Sequence, residues 1–150
     1  MKYFDPRAIL LARHAQHIVL VHFPIALLIT SVTFDVWARC HDRSALSLVG
    51  KFNLYAAACT TPLAAATGLL AWRWQLQGAR LKGALLLHLC GACMVIVLVS
   101  RLAWFRAHTH PQDDISLPWR YFVLAAAAVV AIALTAHLGG IVSGVAAPGG

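Results

Sequence analysis

Histidine is frequent in this chain and falls at positions where an ionisable side chain is costly. Eight of the 150 residues are histidine, and the segment HIVLVHFPIALL, from His17 to Leu28, places two of them with a proline in an otherwise apolar stretch. An ionisable residue buried in hydrocarbon usually marks a functional site. Imidazole is also a good ligand for iron, copper and zinc. The histidines are therefore the first candidates for a metal or cofactor site. Whether they can form one depends on where the helices that carry them place the side chains.

The composition is that of an integral membrane protein. Hydrophobic residues make up 61% of the chain and charged residues 11%, with a mean hydropathy of +0.75. A helix of about 20 apolar residues crosses a hydrocarbon core of about 30 Å. Four runs reach this length, at about 17–38, 52–72, 83–104 and 121–143. The sequence therefore predicts one all-α domain over residues 1–150, an up-down bundle of four membrane helices with both termini on one side, called side A.

The basic residues are expected to anchor this bundle in the bilayer. The net charge is +7, but the twelve Lys and Arg residues fall at helix ends and in loops, where they contact lipid headgroups rather than nucleic acid. Six fall on side A and six on the opposite side B, so the positive-inside rule gives no orientation. The first apolar run begins late and no A-x-A-like cleavage site follows it, so we expect the N-terminus to be retained.

Three histidines are expected at one depth inside the bilayer. His22, His88 and His137 each lie 16 residues from the side B end of their predicted span, which is about 24 Å along a helix. His17 lies a turn or more closer to side A. The three rings are therefore predicted to share one level in the side A leaflet.

Stripes of small and polar residues are predicted to turn these histidines inward. Small residues favour close helix contact in membranes. The stripe beside His22 is Ala26, Thr30 and Thr33, and the stripe beside His137 is Ala126, Val130 and Ala133. Pro24 should bend the first helix and open space beside His22. Gly139 and Gly140 would let the backbone approach a neighbouring group closely.

These positions leave three interpretations open. The histidines could satisfy one another through hydroxyls or water. They could hold one b-type haem, with His22 and His88 as axial ligands across the core and His137 and His17 as hydrogen-bonding groups or a second ligand. They could form a copper or zinc site from His22, His88 and His137. The side A cations expected to face haem propionates are Arg13, Arg80 and Lys82.

Enzymatic chemistry has little support in this sequence. The chain has no glutamate, no paired carboxylates and no phosphate-binding loop, and its five aspartates fall in loops or near span ends. Asp35 is expected to reach the interface beside Trp37 and Arg39. The four cysteines, Cys40, Cys59, Cys90 and Cys93, are not expected to form a disulfide framework. The CGAC cysteines, Cys90 and Cys93, are expected to pack in the core as small hydrophobic residues.

Four segments together resemble a known bacterial family. HIVLVHFPIALLIT, ATGLLAWRW, LLLHLCGA and AHLGGIVSG are similar to the signature of four-helix "predicted membrane proteins" of unknown function, over roughly residues 14 to 143. The resemblance points to the residues His17, His22, His88, His137, Gly139 and Gly140. Ile18 replaces a proline that is usual in the family, and Ala71 replaces a common acidic residue, which weakens any proton role there.

The resemblance also shapes the functional expectation. Some relatives are fused to Rieske or cytochrome c domains, which implies work beside electron carriers in the bacterial inner membrane. We expect a small multi-pass, cytochrome-like subunit that binds haem b and passes electrons between a cytochrome c or iron–sulfur protein and perhaps quinone. It would belong to a larger respiratory or photosynthetic complex and would not be an enzyme by itself. The alternatives are a cofactor-free structural subunit and a metal-handling protein.

Overall fold

Four long helices make up the protein in a computed structural model, which describes residues 13–74, 76–109 and 116–144. They are α1 (Arg13–His41), α2 (Ser44–Trp74), α3 (Gly83–Ala107) and α4 (Trp119–Val142). Each is long and apolar enough to cross a membrane. The prediction of an all-α, four-helix membrane protein is confirmed.

The helices extend beyond the predicted spans, most of all at the start of α2. This helix begins at Ser44 rather than near residue 52, and only a two-residue turn separates it from α1. Asp42 in that turn has a φ of 50°, a left-handed conformation that aspartate tolerates. Polar residues such as Ser47 and Lys51 lower the hydropathy of this first stretch without interrupting the helix. Hydropathy alone therefore placed the boundary two turns late.

The buried residues of each helix follow alternating steps of three and four. In α1 they are Pro24, Leu28, Ser31, Asp35 and Ala38. In α2 they are Ser47, Gly50, Leu54, Ala57, Thr61, Ala64 and Ala71. This heptad-like spacing is the pattern of helices that pack side by side with a left-handed twist. Many seam residues are small, so the helices lie close together, while large apolar side chains such as Phe23 and Phe52 are exposed where lipid would surround them.

The bundle consists of two antiparallel hairpins. Helix α1 packs along α2 and α3 packs along α4, whereas contacts between the two hairpins are fewer. The Ser31 hydroxyl donates to the Gly50 carbonyl at 2.8 Å near one end of the first hairpin. At the other end the His17 ring contacts Thr67. We keep the name side A for the end at which α1 and α3 begin, and side B for the opposite end.

The second hairpin repeats the register of the first with an offset of 71 residues. Nine pairs of positions separated by this interval are buried in both hairpins. They are Pro24/Val95, Leu28/Val99, Ser31/Leu102, Asp35/Arg106, Gly50/Tyr121, Leu54/Ala125, Ala57/Ala128, Thr61/Ile132 and Ala64/Thr135. Parallel repeats of this kind are related by an axis along the membrane normal. The matching registers indicate a tandem repeat with approximate twofold symmetry along the bundle.

Candidate functional site

His17 is fixed against the neighbouring helix by a threonine and a glycine of α2. Its Nδ1 lies 3.1 Å from the Thr67 hydroxyl. That hydroxyl donates its own proton to the Ala64 carbonyl at 2.8 Å, so Nδ1 must be the donor and the proton of a neutral ring is on Nδ1. The ring covers Gly68, where an added Cβ would lie 2.9 Å from Cε1 of His17. The lone pair of this neutral imidazole is therefore on Nε2.

His88 has the same arrangement in the second hairpin. Its Nδ1 donates to the backbone carbonyl of Thr135 at 2.9 Å, and a carbonyl can only accept, so the lone pair is again on Nε2. The ring covers Gly139, where a Cβ would lie 3.0 Å from Cε1 of His88. His17 and His88 are separated by the 71-residue offset, and so are Gly68 and Gly139. The two histidines are equivalent residues of the repeat.

The two histidines also share one level in the bundle. Asp35 of α1 and Arg106 of α3 meet directly in an ion pair of 3.3 Å near side B. His17 precedes Asp35 by 18 residues, and His88 precedes Arg106 by 18 residues. Eighteen residues are five full helical turns, about 27 Å, and return a side chain to the same face. His17 and His88 therefore lie on the inner faces of diagonally opposite helices, at one level near side A.

The bundle is packed less tightly at this level than near side B. In α1 no residue from Gln16 to Phe23 is buried, and in α3 none from Gly83 to Met94 is. After Thr135 no described residue of α4 is buried either. Near side B, by contrast, residues such as Leu102 are fully enclosed. The hairpins are thus joined firmly at side B and leave the histidine level partly open.

The structure does not place His22 and His137 on the inner faces predicted for them. Both side chains are exposed, and the stripes beside them are exposed as well. His22 lies two residues before the buried Pro24, about 200° around the helix, and its Nδ1 donates to the Ile18 carbonyl of its own helix at 2.6 Å. His137 lies two residues after the buried Thr135 and is turned away for the same reason. The inward stripes predicted for α1 and α4 are wrong.

The remaining predicted site residues lie around the histidine level. None of the contacts described for this part of the chain joins them to His17 or His88. Gly140 is half-buried beside Gly139 in α4, and Arg80 and Lys82 are exposed in the segment before α3. Arg13 begins α1, but its side chain lies outside the described residues. Among the residues that the structure describes, no group of three or more His, Cys, Asp or Glu could hold a metal ion. His22, His88 and His137 are therefore not brought together.

A buried polar cluster near side B draws one residue from each helix. Asp35, 1% exposed, pairs with Arg106, 0% exposed, and accepts a hydrogen bond of 2.5 Å from the Tyr121 hydroxyl. Arg106 also donates to the Ser47 carbonyl at 2.7 Å. The expectation that Asp35 reaches the interface is wrong because its position belongs to the buried seam, four residues after Ser31. The 18-residue spacing to the histidines is the sequence signal that could have revealed this cluster.

The four cysteines do not pack in the core. Cys40, Cys59, Cys90 and Cys93 are all free and exposed. None of them occupies a buried position of its helix. The prediction that the CGAC cysteines pack in the core is wrong, and all four belong to the lipid-facing or end surfaces.

A comparison with known families agrees with the resemblance. The sequence profile of a family described as "Predicted membrane protein (DUF2231)" matches residues 13–146. The chain belongs to this family. No curated protein and no solved structure matches it. The family description names a predicted membrane protein and no reaction, and the four apolar helices indicate several membrane passes.

Proposed function

We propose that His17 and His88 would hold one b-type haem, and that this DUF2231 protein is an electron-transfer subunit of a membrane complex. The observation that carries the proposal is the pair of equivalent imidazoles at one level on diagonally opposite helices. In each, Nδ1 is committed to an oxygen of the adjacent helix and the lone pair of the neutral ring is on Nε2. Metal-bound histidines in proteins are oriented in this way.

The residues around the pair suit a flat, bulky group. Gly68 and Gly139 let each imidazole lie directly on the neighbouring backbone, and the hairpins are least tightly packed here. Arg80 and Lys82 precede His88 by eight and six residues, so their cations stand near the side A surface where carboxylates of such a group would emerge. An iron held by two imidazoles supplies one-electron transfer rather than oxygen binding.

The side B cluster argues for one such site in each chain. The positions 18 residues from His17 and His88 form the equivalent level near side B. The Asp35–Arg106 pair and Tyr121 occupy that level with the protein's own side chains, all of them fully enclosed. A second macrocycle would have to displace them. We therefore assign one haem per chain to the histidine level, with an electron-carrier protein on side A and quinone as its candidate partners.

A cofactor-free packing subunit is the second candidate, and the outer surface of α4 favours it. Ala126, Val130 and Ala133 form an exposed stripe that continues to His137. Stripes of small residues let membrane helices approach closely, so this face suits another membrane protein of a complex. In that case His17 and His88 serve only to tie each hairpin together. A copper or zinc site built on the His17–His88 pair would need further ligands from outside the described residues.

The deciding experiment is spectroscopic. The protein is expressed with haem supplied, purified in detergent, and examined by a dithionite-reduced minus oxidised spectrum and a pyridine haemochrome assay. We expect a b-type spectrum at about one haem per chain. His17→Ala and His88→Ala should each abolish the low-spin bands, while His22→Ala and His137→Ala, the matched exposed histidines, should leave them unchanged.

The other outcomes separate the candidates. Loss of the bands in His22→Ala with retention in His17→Ala would contradict the ligand pair. A colourless wild-type protein that is folded by circular dichroism, with no copper or zinc by elemental analysis, would overturn metal binding and leave the packing subunit.

A further inference from the structure

A groove at the side B end of the second hairpin has a different chemistry from the histidine site. It has a volume of about 520 Å³ and lies between the end of α3 and the start of α4. Its lining residues are Trp104, Phe105, His108, Thr109, Ser116, Pro118 and Arg120. Aromatic, hydroxyl and basic groups thus line one groove.

The groove stands at the membrane–water interface. Trp104 and the adjacent Trp119 are 65% and 74% exposed, next to the ends of their membrane helices. Tryptophan is enriched at this depth, where the headgroups of lipids meet the hydrocarbon. The His108 ring packs against Trp104 with ring centroids 4.1 Å apart, and the two rings form one wall of the groove. A lipid headgroup is the group that this level of the bilayer presents to it.

Arg120 is the uncommitted cation of the groove. Its guanidinium lies 5.7 Å from the centroid of the Phe105 ring, and within the described part of the chain no residue accepts a hydrogen bond from it. Two other side B arginines are already committed: Arg39 donates to the Leu117 carbonyl at 2.6 Å, and Arg106 pairs with Asp35. A guanidinium presents several donors in a plane that matches phosphate oxygens.

The repeat differs at this groove. By the 71-residue offset, Arg120 corresponds to Val49 and Trp104 corresponds to Thr33. The first hairpin has its own tryptophan–histidine ring contact near side B, Trp37 with His41 at 5.8 Å, but it carries no cation and no aromatic ring at these two equivalent positions.

We infer that this groove binds the phosphate of one anionic glycerophospholipid in the side B leaflet, with Arg120 as the main phosphate contact. Trp104 flanks the glycerol region of the lipid. This inference does not depend on the haem proposal, because the groove lies at the opposite end of the bundle.

Native mass spectrometry of the full chain tests the inference. The protein is purified from mixed micelles that contain equal amounts of phosphatidylglycerol and phosphatidylcholine, and the retained lipid is counted. The wild-type protein should retain one phosphatidylglycerol preferentially. Arg120→Gln should lower this preference about fivefold, the effect of one cation near a membrane surface. Arg101→Gln, which removes an exposed cation of α3 outside the groove, should leave it unchanged.

Two controls make the result decisive. Circular dichroism melting of each variant shows whether the bundle is intact, and a variant that melts well below the wild type is replaced by Arg120→Lys, which keeps the charge and should retain part of the preference. Equal losses in Arg120→Gln and Arg101→Gln would overturn the inference in favour of diffuse attraction. Displacement of the lipid by excess inorganic phosphate would overturn it in favour of a free-anion site.

Discussion

Glycine positions decide where polar side chains are accommodated between helices. Four glycines face a polar residue of an adjacent helix so closely that a Cβ would collide with it or press against it: Gly50 with Asp35, Gly68 with His17, Gly91 with Thr135, and Gly139 with His88. Glycine is unfavourable in a helix by about 1 kcal/mol relative to alanine. Its use at these positions indicates that the space beside each polar group is needed, both near side B and at the histidine level.

The variant Gly50→Ala tests whether the space beside Asp35 is needed. Helix propensity alone predicts that alanine stabilises α2, but its Cβ would collide with the Asp35 carboxylate and lie 3.1 Å from the Ser31 carbonyl oxygen. Because Asp35 is held by Arg106 and Tyr121, it cannot move away freely. We expect the free energy of unfolding to fall by about 1–2 kcal/mol, the net of overpacking and propensity.

Thermal unfolding in detergent, followed by circular dichroism, measures the effect of Gly50→Ala. Val49→Ala, at the exposed preceding position, should change the stability by no more than about 0.5 kcal/mol. A Gly50→Ala variant as stable as the wild type would show that the ion pair adapts to the added methyl group.

Which face of a helix turns inward could be predicted from the sequence only in part. The presence of four membrane helices follows from hydropathy and length, and is confirmed. The inner face predicted for α1 is wrong because the prediction rests on Thr30 and Thr33 as inward-facing polar residues, and both are exposed. Their hydroxyls donate to carbonyls of their own helix, at 2.8 Å to Ala26 and 2.9 Å to Ile29. The Thr33 hydroxyl, satisfied in this way, does not need a polar partner on another helix, so Thr33 can face lipid. The Thr30 hydroxyl also accepts a hydrogen bond from Asn53 of α2 at 3.2 Å.

The inner face is instead marked by the alternating steps of three and four that pass through Pro24 and Asp35. His17 fits those steps and His22 does not. Small size was a poor guide, because Ala126 and Ala133 are exposed while Tyr121 and Arg106 are enclosed. Regular spacing of the positions, rather than the kind of residue that fills them, identified the buried seam.

Ser31 and Thr33 give a matched test of the two faces of α1. Ser31→Val removes the hydrogen bond to the Gly50 carbonyl and adds volume to an enclosed position. We expect it to lower the free energy of unfolding by about 1–2 kcal/mol. Thr33→Val changes an exposed side chain of similar size and should alter stability by no more than about 0.5 kcal/mol. Chemical unfolding in a detergent titration compares them, and equal effects would contradict the assigned faces.

The whole molecule is organised as two copies of one hairpin. The equivalent positions of the two copies carry identical residues at one end of the bundle and oppositely charged residues at the other. At side A the equivalent residues are both histidine, which suits a ligand shared across the axis. At side B they are Asp35 and Arg106, opposite charges that no pair of identical residues could supply. The repeat was difficult to detect in the sequence because burial recurs at the 71-residue offset more regularly than residue identity does. Structure was needed to show which positions to compare.

The ion pair should therefore be the main polar link between the hairpins. Removing one partner leaves a charge enclosed without its counterion, which costs about 3–5 kcal/mol. Asp35→Asn and Arg106→Gln should each lower the free energy of unfolding by this order. The double variant leaves two neutral amides in the same space and should be clearly more stable than the sum of the single losses predicts.

A double-mutant cycle in detergent, measured by unfolding, gives this coupling directly. Asp35→Asn combined with Arg101→Gln, at an exposed position of α3, supplies the reference and should be additive within about 0.5 kcal/mol. Additivity of Asp35→Asn with Arg106→Gln as well would mean that the charge pair does not couple the two hairpins. Strong coupling would instead show that side B is the fixed end of the molecule, about 27 Å from the histidine level.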